Sequence, residues 1–133
     1  MSYASYSSTR KLLVDSSDIT SYIPSNYIRV GFPNDELYVP SITIHQTGGD
    51  SWGYLGYNTA SVGEKLKREN STFQINIFNN WSIVSSQRIS DYISKALLNG
   101  IGYRRVSQSD DYNNEIKSYV NTQIWTHIEN VDD

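Results

Sequence analysis

An α+β domain is what the sequence predicts: one antiparallel or mixed β-sheet, helices packed on one of its faces, and an extended β-hairpin arm. Three observations predict it. Residues 72–78 alternate Phe73, Ile75 and Ile77 with Gln74 and Asn76, the two-residue period of a half-buried strand. Beyond them Ile89, Tyr92, Ile93, Ala96 and Leu97 recur at spacings of three and four, which is a single apolar helix stripe. Strand-period and helix-period segments follow one another in mixed order over 133 residues, a length suited to one domain, 1–133, made of a sheet layer and a helix layer.

In chain order, residues 1–8 are small and polar apart from two Tyr and read as a flexible or partner-ordered arm. Over 10–23 the apolar positions Leu12, Leu13, Ile19 and Ile23 are interrupted by Ser16, Ser17 and Asp18, which reads as a short helix and a turn closed by Pro24. Residues 27–32 suit a short strand with Ile28 and Val30 on one face and Arg29 opposite, ended by Gly31 and Pro33. After a polar turn at 34–36 and Pro40, Ile42 and Ile44 alternate with Thr43 and His45 as a half-buried strand.

Residues 47–63 hold five Gly together with Trp52, Tyr54, Leu55 and Tyr57. A twisted hairpin accounts for this composition better than a long loop, so 47–64 is read as an arm with its tip at 58–63, returning through 65–68 into the strand at 72–78. Asn79 and Asn80 end that strand and Ser82 is placed to cap the helix after it, whose other face carries Ser86, Arg88, Asp91 and Lys95. Asn99, Gly100 and Gly102 stop the helix. Residues 103–106 form a short strand, 109–114 a turn, and the last strand sets a β-branched face (Val120, Thr122, Ile124, Thr126, Ile128) against Tyr119, Asn121, Gln123, Trp125 and His127, with 131–133 frayed.

Composition excludes several classes of function. There is no Cys, so disulfides, thiolate metal sites and cysteine nucleophiles are all out. The formal net charge of −3 is too small to imply a polyanion partner and its acidic sign leans away from nucleic acid, and neither a signal peptide nor a membrane span is expected from the hydropathy pattern. His45 and His127 lack a second ligand at metal spacing and read as polar residues on an outer sheet face. Asp110 and Asp111, adjacent on an extended chain, point to opposite sides and read as a solvated turn rather than an acid–base pair. No GxSxG elbow or SxxK pair is present, and Gly48-Gly49-Asp50 lacks the spacing of a phosphate loop. No catalytic residue, cofactor or metal is expected.

The remaining chemistry lies on surfaces. Eleven Tyr and three Trp in so short a chain give large side chains that combine apolar area with a polar tip, a kind enriched at protein contacts. The contact residues read from the sequence are Trp52, Tyr54 and Tyr57 on the arm, the basic run Lys65, Lys67 and Arg68 beside them, and Arg104 with Arg105. The basic run reads as a charged edge that prevents unwanted strand pairing or as part of a protein contact; an aromatic and basic surface for single-stranded nucleic acid is the alternative. Arg104 and Arg105 read as solvated strand ends or as salt-bridging contacts between subunits.

The order of elements resembles that of the tail terminator, or tail completion, proteins of long-tailed bacteriophages and related archaeal viruses, over nearly the whole chain. The matching pieces are Tyr38-Val39-Pro40-Ser41-Ile42-Thr43-Ile44, the Gly turn Thr47-Gly48-Gly49, the strand Phe73-Gln74-Ile75-Asn76-Ile77-Phe78, the helix through Leu98, and the Asp111-Tyr112 turn before the last strand. The aromatic arm around Trp52 and Tyr57 departs from the family pattern. The resemblance implies a non-enzymatic virion protein that forms a ring, usually a hexamer, at the head-proximal end of the tail tube. Its implied partners are copies of itself, the tail tube protein and a neck or connector protein, with DNA passing transiently through the lumen and no membrane involved. Its implied location is the tail or neck of the virion, and the host cytoplasm during assembly. Another head–tail connector or a tail tube subunit is the alternative, followed by a cellular module binding a peptide or single-stranded nucleic acid.

Overall fold

The computed structural model of the chain describes residues 3–31, 39–55 and 66–132. Two helices, α1 (Tyr3–Val14) and α2 (Ser17–Thr20), lead through a 3-10 turn at Ser25–Tyr27 into strand β1 (Ile28–Val30). Strands β2 (Ser41–Leu55) and β3 (Leu66–Asn79), helix α3 (Ile83–Leu98), and strands β4 (Tyr103–Asn113) and β5 (Ser118–Asp132) follow. The five strands form one open sheet in the order β1-β2-β3-β5-β4, with β1 parallel to β2 and every other pair antiparallel. The expected α+β architecture is therefore present, in its mixed-sheet form.

The core lies between the helices and one sheet face. Ile42 and Ile44 of β2 stand beside Ile77 and Ile75 of β3, and Phe73 beside Trp125 of β5. Leu13, Ile19 and Ile23 from the N-terminal helices and Ile89, Ile93 and Leu97 from α3 close over them, all fully buried. Each such side chain contributes about 1.5–3 kcal/mol of apolar burial, which is what holds two layers together without a disulfide.

Four expectations need correction. Residues 3–8 belong to α1 rather than to a free arm, because the Tyr6 hydroxyl accepts the Gln46 backbone N–H at 2.6 Å and ties the helix start to β2. Ser86 is buried, not on the solvent face of α3. Residues 103–113 form one continuous strand, so the predicted turn at 109–114 moves to 114–117, where Lys117 takes a positive φ of 51°. Val131 and Asp132 pair with Lys67 and Leu66 instead of fraying.

The largest difference lies in β5. Its polar face, Asn121, Gln123, Trp125 and His127, is the one that packs under α3, while the β-branched face from Val120 to Ile128 turns away from the helices. Small residues on α3 make this possible. Ser86, Ser90 and Ser94 recur every four residues on one side of the helix, letting it approach the sheet and hydrogen-bond to it. The Gln123 amide donates to the Ser90 carbonyl at 3.0 Å and to its hydroxyl, while Gln123 Oε1 accepts from Trp125 Nε1 at 2.7 Å. Ser90 Oγ in turn donates to Gln108 Oε1 of β4 at 2.6 Å, so one network joins α3, β4 and β5.

Two further contacts fix the ends of α3. Asn79 is fully buried; its Oδ1 accepts the backbone N–H groups of Trp81 and Ser82, and its Nδ2 donates to Ser86 Oγ. Ser82 caps the helix as expected, its hydroxyl accepting the Ser85 N–H at 3.0 Å. At the other end Gly102 adopts φ +86°, and a Cβ there would collide with the Ile128 carbonyl oxygen. Its own carbonyl accepts the Ile128 N–H at 3.1 Å and starts the β4–β5 ladder.

Candidate assembly surfaces

Strands β2 and β3 run on past the helix-covered part of the sheet, paired from Gly48 opposite Thr72 to Leu55 opposite Leu66. Strand β5 accompanies them as far as Asp132, whereas β4 begins at Tyr103, opposite His127. Among the described residues the sheet thus narrows to three strands and projects as an arm. The register is irregular between Gln46 and Gly48 and again between Ser51 and Tyr54, the local kinks that bulges produce.

This arm carries part of the residue set read from the sequence. Tyr54 and Lys67 are direct cross-strand partners, Arg68 follows Lys67, and Trp52 lies within the second irregularity. Tyr57 and Lys65 lie outside the described residues. Arg104 and Arg105 are not part of this group; they stand near the start of β4, at the opposite sheet edge from β1.

Strand β4 is exposed along almost its whole length and is the outermost strand on its side. Arg105 Nη1 donates to Ser94 Oγ at 3.0 Å, and Asp110 Oδ1 accepts from Asn121 Nδ2 at 2.8 Å, so both lean toward the α3 face. Asp111 Oδ1 accepts the Tyr112 backbone N–H at 2.8 Å. The two acids are in a strand rather than a turn and diverge to opposite faces, so they form no catalytic pair.

A third surface was not foreseen from the sequence. At the end of the sheet remote from the arm, Trp81, Ile83 and Val84 are exposed to 46%, 47% and 59%, and Tyr112 near the end of β4 and Ile116 in the β4–β5 turn are exposed as well. Trp81 lies 5.9 Å from the Tyr22 ring, and Arg88 donates to the Tyr22 hydroxyl at 3.2 Å. The available signal was Val84, which falls off the stripe formed by Ile89, Ile93 and Leu97, while Ile83 continues that stripe past the edge of the sheet layer. Apolar residues that leave a helix's buried stripe have nowhere to go but solvent or a partner.

The two histidines have structural surroundings. His127 is buried on the helix face, not the outer one: its ring stacks on Tyr103 at 4.1 Å and Nε2–H donates to the Ile101 carbonyl at 3.1 Å. Tyr103 is itself tied to α1 by a 2.7 Å bond to Thr9 Oγ1. His45 is on the outer face as expected but buried, and burial lowers its pKa below the ordinary value. Among the described residues no group of three His, Asp or Glu side chains converges on a metal-sized site, and no helix is long and apolar enough to cross a membrane. The open cleft between the α1–α2 turn and α3 is lined by Asp15, Asp18, Tyr92 and Lys95, with Asp15 held by Lys11 at 2.7 Å.

No protein-family model matches the chain, and no curated protein does. Among solved structures, a chain in the virion of a native gene transfer agent particle has the same fold, with a TM-score of 0.67 at 10% sequence identity. The alignment covers 98% of this chain and 100% of that one. The likeness runs over the full length of both chains and is one of overall fold.

Proposed function

We propose that this chain is a structural protein of a phage-like virion, and within it a tail terminator that closes into a ring at the head-proximal end of the tail tube. It halts tube growth there and offers a docking surface to the neck or connector protein. The reading is carried by the full-length fold likeness to a chain of a gene transfer agent virion, taken with the tail-terminator order of elements in the sequence. Its work is assembly rather than catalysis.

A ring needs two different, complementary patches on each subunit. The projecting arm with Trp52 and Tyr54 supplies one, and the exposed apolar end around Trp81, Ile83 and Val84 supplies the other. Aromatic side chains suit such contacts because a few of them carry most of the binding energy. In a hexameric ring Lys65, Lys67 and Arg68 face an acidic neighbour or line the lumen through which DNA passes. The protein is then found in the virion neck, and in the host cytoplasm before assembly.

Electron microscopy of particles produced without the protein tests this reading. Overlong tails, or tails not joined to heads, are expected. Absence of tails altogether assigns the chain to the tube instead, and normal particles overturn the virion role.

A further inference from the structure

The exposed edge of β4 has an internal symmetry of charge. Its sequence from Tyr103 to Tyr112 reads Tyr-Arg-Arg-Val-Ser-Gln-Ser-Asp-Asp-Tyr, basic in its first half and acidic in its second. We infer that two copies of this chain pair through β4, antiparallel about a two-fold axis at Gln108, so that Arg105 meets Asp110 and Arg104 meets Asp111 of the second copy.

Directly opposed residues in an antiparallel pair must lie on the same face of the sheet, and in a regular strand Arg105 and Asp110, five residues apart, do not. The bulge changes this. Arg105 is opposite Trp125 of β5 and Ser107 is opposite Ile124, which leaves Val106 as the extra residue. With Val106 set aside, Arg105 and Asp110 stand opposite Trp125 and Asn121, both on the α3 face. Arg104 and Asp111 stand opposite Thr126 and Val120, both on the outer face.

The register then closes without conflict. Gln108 meets Gln108 and Ser107 meets Ser109; Val106 stays the extra residue in both copies; the two Arg–Asp pairs follow, and Tyr103 meets Tyr112. An edge bulge ordinarily discourages pairing. Here it is what brings unlike charges into phase, and the helix layers of both copies come to the same side of a continuous sheet. The length of β4 agrees with this occupant, since an eleven-residue strand exposed from Arg104 to its end is a template for a further strand. No partner of uniform charge matches an edge whose halves carry opposite signs, whereas a second copy run antiparallel does.

Sedimentation velocity on the full chain, over a range of concentration and salt, tests the pairing. The wild-type protein is expected to form a dimer that weakens as salt rises. Arg104→Glu and Asp111→Lys, both at exposed outer-face positions, are each expected to weaken the dimer about tenfold or more, because a two-fold contact repeats every change. A 1:1 mixture of the two variants should recover dimer, and so should the chain carrying both changes. Thermal unfolding checks that each variant is folded; should one single variant fail to fold, the doubly changed chain against wild type still reads the pairing. A monomeric wild type, dimerisation unmoved by either reversal, or no recovery on recombining the charges overturns the inference. The virion reading stands or falls separately, because a head-to-tail ring does not use this two-fold contact.

Discussion

Gln123→Ala should be among the most damaging single changes to this fold, and the reason lies in hydrogen bonds rather than apolar area. The side chain is fully buried; it supplies the acceptor for Trp125 Nε1–H at 2.7 Å and donors to the Ser90 carbonyl and hydroxyl. Truncation leaves the indole N–H without its acceptor in the core, which costs about 1–3 kcal/mol. The cavity left by the removed side chain adds about 2 kcal/mol. A total of about 3–5 kcal/mol is a large share of the 5–15 kcal/mol typical of a domain. Gln123→Met fills most of the same volume without the hydrogen bonds and isolates the polar part, so it should cost about 1–3 kcal/mol. Urea unfolding followed by tryptophan fluorescence measures both, at one fixed protein concentration so that self-association does not shift the midpoints. A loss below about 1 kcal/mol for Gln123→Ala refutes the claim that this network holds α3 on the sheet.

Three further outcomes are expected. Gly102→Ala should destabilise by more than the ~1 kcal/mol of an unfavourable φ, because its Cβ meets the Ile128 carbonyl oxygen; amide exchange should report the loss first at the start of β4. Asn79→Ala should cost about 2–3 kcal/mol in a thermal or urea melt, since it removes the acceptor for two N–H groups ahead of α3 and the partner of buried Ser86. Burial lowers the His45 pKa from its ordinary 6.5, so the unfolded chain binds the proton more readily. The resulting stability is present above pH ~6.5 and is lost as pH falls through the folded-state value. Urea midpoints across that range should therefore slope less steeply with pH for His45→Gln than for wild type, and identical slopes would count against it.

The elements that were legible in the sequence are those with one wet face and one dry face. Phe73, Ile75 and Ile77 alternate with polar residues, and Ile89, Ile93 and Leu97 recur at helix spacing, so β3 and α3 could be read directly. Strand β4 offers no such contrast because it is exposed from Arg104 on, and its second half passed for a turn. Strand β5 misled for the opposite reason. Asn121 and Gln123 read as polar residues beside a β-branched face, yet hydrogen bonds to the serines of α3 make that polar face the buried one. Ser86 was hidden by the same exchange. The start of α1 is tied down by a long-range bond from Tyr6 to β2 and by the packing of Tyr6 on the core, and no local pattern announces it.

The contact residues divided along the same line. Across the β2–β3 ladder Tyr54 stands opposite Lys67, a pairing set by the irregular register between Ser51 and Tyr54 that no local pattern gives. Arg104 and Arg105 became meaningful only with the β4–β5 register, since a single bulged residue decides which acids they share a face with. The exposed group at Trp81, Ile83 and Val84 went unnoticed because apolar residues next to a helix start pass easily for core.

Where the protein sits in the particle is the direct test of its proposed role. Gold-labelled antibody against the chain, applied to purified particles and imaged by electron microscopy, should mark one position per particle at the junction of tail and head. Label distributed along the tube, or particles free of the protein, would contradict a ring that terminates the tail.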